Sequence, residues 1–209
     1  MRGGKIAGEV YHWEILPRAG VGDLKFGATQ SSVDSHARAY GNIVRSGSDR
    51  IPDSILQDTL AQFGDSLSES EKQELIELYS ASGPDSTSIT EVRGDRGLVL
   101  RYEKDRLVEI ILSVDHKLAN LGGVDVFAHP SERVLSQAEQ MNGVPGRYSG
   151  TSAIFDSIGI VFEGFCVTNK GSKPKPLNGR DDRFMSRTIG VFEKIDDPQM
   201  QGFERFSWI

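Results

Sequence analysis

The 209-residue chain has a hydrophobic share of 37%, a charged share of 26% and a formal net charge of -6. A chain of this size buries enough apolar surface to fold without a metal or disulfide staple, and its acidity argues against a general nucleic-acid binder, whose affinity comes from a basic stripe. Apolar runs such as Ile110 to Leu112 and Ile158 to Phe162 fall far short of the roughly 20 residues that cross a bilayer, so no membrane span is expected.

The opening residues Met1 to Gly8 carry positive charge but lead into a polar, aromatic segment. They lack the apolar stretch of about 7 to 15 residues that a secretion signal needs, which predicts a cytoplasmic protein. Glu9 to Leu16 is rich in aromatic and branched residues and reads as a strand broken at Pro17. In Ala19 to Gly27, glycines shape a tight loop, Leu24 and Phe26 alternate as in a short strand, and Thr29 is placed to cap a helix. That helix is expected to end near Gly41, with Val33, Ala37 and Tyr40 on its buried face and Asp34 and Arg38 in water.

Between Ile51 and Gly83 the period is helical. Pro52 suits a first turn, Leu56, Leu60 and Phe63 share a face, and Gly64 is a stop. Ser68 and Glu71 then form a capping box ahead of Leu75, Leu78 and Tyr79, so the segment predicts a helical hairpin. After Gly83-Pro84 the period changes to two, predicting an antiparallel meander of strands at Ser88 to Val92, Leu98 to Tyr102 and Leu107 to Val114. Glu103, Asp105, Glu109 and Asp115 read as the wet edge of that sheet.

The second half repeats this order. Gly122 to Phe127 precedes a helix from Pro130 through Leu135, Ala138 and Met141, and strands are expected at Ile158 to Phe162, Thr188 to Phe192 and Phe203 to Trp208. At an offset of 101, Gly22, Phe26 and Val33 fall on Gly123, Phe127 and Val134. The chain is therefore read as one compact α+β protein, 1–209, with candidate repeat units at 20–115 and 121–209. Each is a helix plus a three-stranded antiparallel meander, with a helical hairpin inserted in the first. Asn169 to Asp182 has turn residues and charges but no apolar period, and reads as a long exposed loop.

Motifs for chemistry are absent from the pattern. His12, His36, His116 and His129 are isolated along the chain and form no zinc-ligand pairing, so no metal site or cofactor is assigned. The Ala19 to Gly27 loop lacks phosphate-loop spacing, and Asp23 would oppose a phosphate there. Asp181-Asp182 and Asp196-Asp197 read as solvated turn formers rather than an acid and base pair. Cys166, between Phe165 and Val167, reads as a buried, inert thiol. No catalytic residue is assigned.

Charge is concentrated in one place. From Asp53 to Asp85, Asp53, Asp58, Asp65, Glu69, Glu71, Glu74, Glu77 and Asp85 stand against Lys72 alone. This face is either a solubilising surface or a docking surface that steers a basic partner. On the second reading, Asp58, Asp65, Glu69, Glu71, Glu74 and Glu77 are the candidate partner-binding residues. Trp13, Tyr148 and Trp208 are candidate exposed aromatic anchors.

The run Gly22-Asp-Leu-Lys-Phe-Gly-Ala-Thr-Gln-Ser-Ser-Val33, continuing to Gly41, resembles the glycine, polar helix cap, valine and terminal glycine pattern of the BamE/SmpA and beta-lactamase-inhibitor-protein-like repeats. With its second copy near Gly122 to Val134, it is also similar to cytosolic immunity proteins of bacterial secreted-toxin systems. The resemblance implies short helices before a three-stranded meander. It also implies a non-enzymatic function, the occlusion of a toxin's active site by a rigid sheet. The expectation is thus a protein-binding inhibitor with a protein partner, such as a basic toxin domain, and neither nucleic acid nor membrane as partner. A structural or assembly component, an enzyme with a scattered site and a small-ligand binder are the alternatives.

Overall fold

The structure, a computed structural model, describes residues 12–48, 60, 67–82, 88–195 and 202–209. Three short strands, β1 (Ile15–Leu16), β2 (Gly20–Val21) and β3 (Leu24–Lys25), form a small antiparallel sheet. Thr29 caps the next helix, its hydroxyl accepting from the Ser32 amide at 3.2 Å. The helix does not run through to Gly41 as the period suggests. It divides into α1 (Gln30–Asp34) and α2 (Ala37–Tyr40), and at the break the Ser35 hydroxyl donates to the Ser32 carbonyl at 2.6 Å, a local bond that competes with helix continuation. Val33 and Tyr40 are still buried.

β4 (Ile43–Ser48) follows, unforeseen in the sequence pattern and exposed along its whole length. The helix expected from Ile51 to Gly64 lies outside the described residues except at Leu60. The second arm of the expected hairpin is α3 (Glu69–Ser82). Its capping box is formed: the Glu71 amide donates to Ser68 Oγ at 3.3 Å and the Ser68 amide to Glu71 Oε2 at 2.7 Å. The meander follows as β5 (Ile89–Arg93), β6 (Leu98–Glu103) and β7 (Arg106–Ser113).

The hairpin β8 (Asn120–Leu121) and β9 (Val124–Asp125) leads into α4 (Ser131–Asn142), which buries Val134, Leu135 and Ala138 and stops at Gly143 in the left-handed conformation. The next element, β10 (Gly146–Phe155), is a 10-residue strand absent from the sequence expectation. β11 (Ile160–Thr168) is longer than the strand expected there. The 169–182 segment is not simply an exposed loop: β12 (Lys175–Pro176) pairs with β11, and Leu177 is buried with its amide on the Phe165 carbonyl at 2.9 Å. After α5 (Asp182–Met185), β13 (Thr188–Phe192) matches its expected bounds, and β14 (Glu204–Phe206) is a shortened edge strand.

Among the described residues, one 9-stranded antiparallel sheet runs in the order β14-β10-β11-β13-β7-β6-β5-β4, with β12 attached to β11. The halves meet at β13 and β7, where Gly190 pairs with Ile111. The first half therefore contributes a four-strand run, β4 to β7, rather than three strands. One face of the sheet carries the core: Leu98, Leu100, Tyr102, Leu107, Ile110, Leu112, Phe162, Ile189 and Val191 are buried in a cluster with Val33, Tyr40, Val134 and Leu135 of the helices.

Two backbone bonds recur in the two halves. The Phe26 amide donates to the Ala19 carbonyl at 3.0 Å and the Val126 amide to the Ala119 carbonyl at 2.8 Å. In these bonds Phe26 and Val126 hold like positions, at an offset of 100, whereas the sequence set Phe26 against Phe127. In the helices, Val33 and Val134 donate to the carbonyls of Thr29 and Pro130 and are both buried. No helix among the described residues is long and apolar enough to cross a membrane.

Candidate functional site

The face of the sheet opposite the core is apolar along one continuous row. Register places Val92 beside Val99, Val99 beside Ile111, Ile111 beside Gly190, Gly190 beside Val161 and Val161 beside Ile154. Because side chains alternate along a strand, these residues share a face that Leu98, Leu100, Ile110 and Leu112 leave. Val92, Val99, Ile111 and Val161 are only half-buried, while Ile154 is buried yet outside the core cluster. At about 4.8 Å per strand spacing, the row spans about 24 Å. Phe192 lies over its centre: a Cβ on Gly190 would sit 2.5 Å from Phe192 Cε2.

Polar rows flank this stripe. On one side Thr90, Arg101, Glu109 and Phe192 are successive partners. Arg101 binds Glu109 at 2.6 Å and Glu103 at 2.5 Å, so charges on this side are largely paired. On the other side run Ser113, Thr188, Glu163 and Ser152, with the Thr151 and Ser152 hydroxyls both donating to Glu163. An apolar centre with a paired polar rim is the anatomy of a protein-docking face.

Of the acidic residues singled out in the sequence, those that the structure describes belong to α3 and none is part of the row. Glu69, Glu71 and Glu74 are exposed on α3. Glu69 is paired with Lys72 at 2.6 Å, and Glu71 serves the capping box, where the Ser68 hydroxyl and amide hold its pKa below the usual range. Glu77 is in α3 with its side chain outside the described set, and Asp58 and Asp65 also lie outside the described residues. The expected aromatic anchors are not exposed. Trp13 and Tyr148 are buried and Trp208 is half-buried, because Tyr148 packs edge-on to Phe155 and Trp208.

A second feature was invisible in the sequence. His12, His36 and His116, isolated along the chain, all line a surface hollow beside Trp13 and Tyr40. Trp13 lies 5.4 Å from Tyr40 and 5.0 Å from His116 between ring centroids, and His12 and His36 stand edge-on to Tyr40 at 6.0 and 6.5 Å. Tyr40 Oη accepts from the Asp23 amide at 2.8 Å and donates to the His12 carbonyl at 3.0 Å. His12 Nδ1 is 2.8 Å from Asp23 Oδ2. Burial, assisted by the Arg96 charge, pushes the His116 pKa down to about 4, and its Nδ1 accepts from the Ser113 amide at 3.1 Å. The ring is thus held neutral.

The wall of the hollow is a glycine contact. A Cβ on Gly41 would lie 2.5 Å from Gly94 Cα, and both residues have positive φ, 87° and 60°. Only glycine lets the end of α2 touch the β5–β6 turn this closely.

Below the same helices, β5 turns charge inward. Arg93 is fully buried, donating to Glu91 at 2.7 and 2.8 Å and to Asp34 at 2.5 Å, and Gln30 donates to Glu91 at 2.6 Å. Asp34 stands in water as expected, its side chain 53% exposed, and also pairs with this buried cation. Cys166 is buried, and burial pushes its thiol up to about 12. Among the described residues, no three His, Cys, Asp or Glu side chains form a metal-holding group. Compared with known proteins, the chain matches no family model, no curated protein and no solved structure.

Proposed function

We propose that this chain is a protein-binding inhibitor of the immunity type, working in the cytoplasm, that covers the active site of a toxin with the open face of its sheet. The observation that carries the reading is the apolar row from Val92 to Ile154, continuous across six paired strands. A half-buried aliphatic stripe with a paired rim suits a partner surface that is apolar at its centre, such as the mouth of an enzyme cleft. A sheet also holds such a surface rigid, so little ordering entropy opposes binding. The chain itself does no chemistry and acts by occlusion. The acidic α3 segment, outside the row, accelerates encounter with a basic partner.

The chain is further read as two similar units related across the β7 and β13 pair. Support comes from the strand order, which runs outward through β6 and β5 on one side and β11 and β10 on the other, and from the recurring Ala19–Phe26 and Ala119–Val126 bonds.

The test is co-purification from the native source with wild-type protein and with Val99→Asp. A stoichiometric protein partner whose activity is blocked by the wild type and not by the variant is expected. Recovery of wild-type chain without a stoichiometric partner, or with a partner whose activity is unaffected, overturns the reading.

A further inference from the structure

The hollow beside Trp13 has the chemistry of an anion site, although the chain as a whole is acidic. It consists of a cavity of about 610 Å³ lined by His12, Trp13, His36, Arg38 and Arg96, and an adjoining one of about 570 Å³ reaching Arg93 and His116. Arg38 and Arg96 line both. Among the described residues, Asp95 is the sole carboxylate lining the two cavities.

The guanidinium groups here are under-used. Arg101, Arg147, Arg183 and Arg205 are each ion-paired. Arg38 and Arg96 are exposed, and neither side chain has an ion pair or hydrogen bond among the described residues. Arg93 is committed to Glu91 and Asp34 through Nε and Nη2, but its Nη1 is buried without a hydrogen-bond partner. An unpaired buried donor is costly, and two unpaired cations at one boundary repel each other. A doubly charged oxyanion relieves that repulsion, and guanidinium forks match its oxygens geometrically. The volume exceeds that of a bare phosphate, and the rings of Trp13 and His36 provide flat lining for an attached organic group.

We propose that this cleft binds a small phosphate monoester, with Arg38 and Arg96 holding the phosphate and the Trp13 and His36 side accepting its organic part. The site does not rest on the docking reading, since its lining residues are distinct from the apolar row.

The probes are phenyl phosphate, inorganic phosphate and benzoate, titrated into the full chain by calorimetry and, in Trp208→Phe, by the emission of the remaining Trp13. Phenyl phosphate is expected to bind saturably in roughly the submillimolar range, more tightly than inorganic phosphate. Arg38→Gln and Arg96→Gln should each weaken it by about tenfold or more, with Arg180→Gln unchanged. Both arginines are exposed, so the variants keep the fold. No saturation by phenyl phosphate up to about 10 mM overturns the site, and equal binding by Arg38→Gln and Arg96→Gln overturns its location. Benzoate binding as tightly as phenyl phosphate overturns the phosphate assignment. Val99→Asp should bind phenyl phosphate normally, which separates failure here from failure of the docking face.

Discussion

Phe192 lies across Gly190, its ring occupying the space where a side chain at that position would stand. The two residues are on the same face of β13, and Gly190 is the centre of the row that includes Val99, Ile111 and Val161. A methyl group at Gly190 has to displace the far edge of the ring, which is half-buried and outside the core cluster and can swing outward. Gly190→Ala should therefore lose no more than about 1 kcal/mol in urea unfolding. It should also lose partner binding, because the displaced ring projects from the proposed docking face. Unchanged stability and unchanged binding would mean that the ring is not packed there.

The Glu91 and Arg93 pair should be essential to folding and irrelevant to docking. Their side chains are 1% and 0% exposed, so removing the carboxylate leaves a buried cation. Glu91→Ala should cost about 3–5 kcal/mol, read from the urea midpoint. Asp34→Ala should cost far less, because that carboxylate is 53% exposed and screened by water. A double variant, Glu91→Leu with Arg93→Met, should recover much of the loss.

His116 gives the fold an acid-sensitive component. Its folded pKa is held near 4 against an ordinary 6.5, so the unfolded chain takes up the proton first as pH falls. The neutral ring's contribution is fully present above about pH 6.5 and is lost progressively as pH drops towards 4, with a ceiling of about 3 kcal/mol. Urea titrations between those pH values should follow this slope, and His116→Gln should flatten it. A slope unaltered by the substitution would assign acid sensitivity to other groups.

The acidic helix should affect rate more than stability. Glu74→Lys with Glu77→Lys should leave the thermal midpoint nearly unchanged, slow association and flatten its salt dependence, since exposed charges act mainly on encounter. Stopped-flow measurements at several salt concentrations check this. An unchanged rate and salt slope would make α3 a solvated face only.

The α+β class and the order of helix and meander were legible because β6, β7, α4 and β13 carry clear apolar patterns. β4 and β10 were not. β4 is exposed throughout, so burial imposes no alternation on it, and β10 is rich in glycine, serine and threonine at its middle and bends through an irregular register between Gly150 and Ser152. The apolar row on the outer face did leave a trace. Leu98-Val99-Leu100, Ile110-Ile111-Leu112 and Ile160-Val161-Phe162 are unbroken apolar runs, and a strand with only one buried face has no need of them. In β5 the inward residues are Glu91 and Arg93 and the outward ones Thr90 and Val92, the reverse of what hydropathy suggests. The cleft was hidden for another reason: His12, His36 and His116 come together only when α1 and α2 fold against the β5–β6 turn, and chain spacing records nothing of that approach.

Whether the open sheet face holds a protein partner can be read by placing a photo-crosslinking side chain at Val99 or Val161 on that face, and at Ile209 as an exposed control, and irradiating in native cells. One shared protein adduct is expected from Val99 and Val161, absent from Ile209, with a protein whose activity the wild-type chain blocks. Adducts from Ile209 but none from Val99 and Val161 would contradict it.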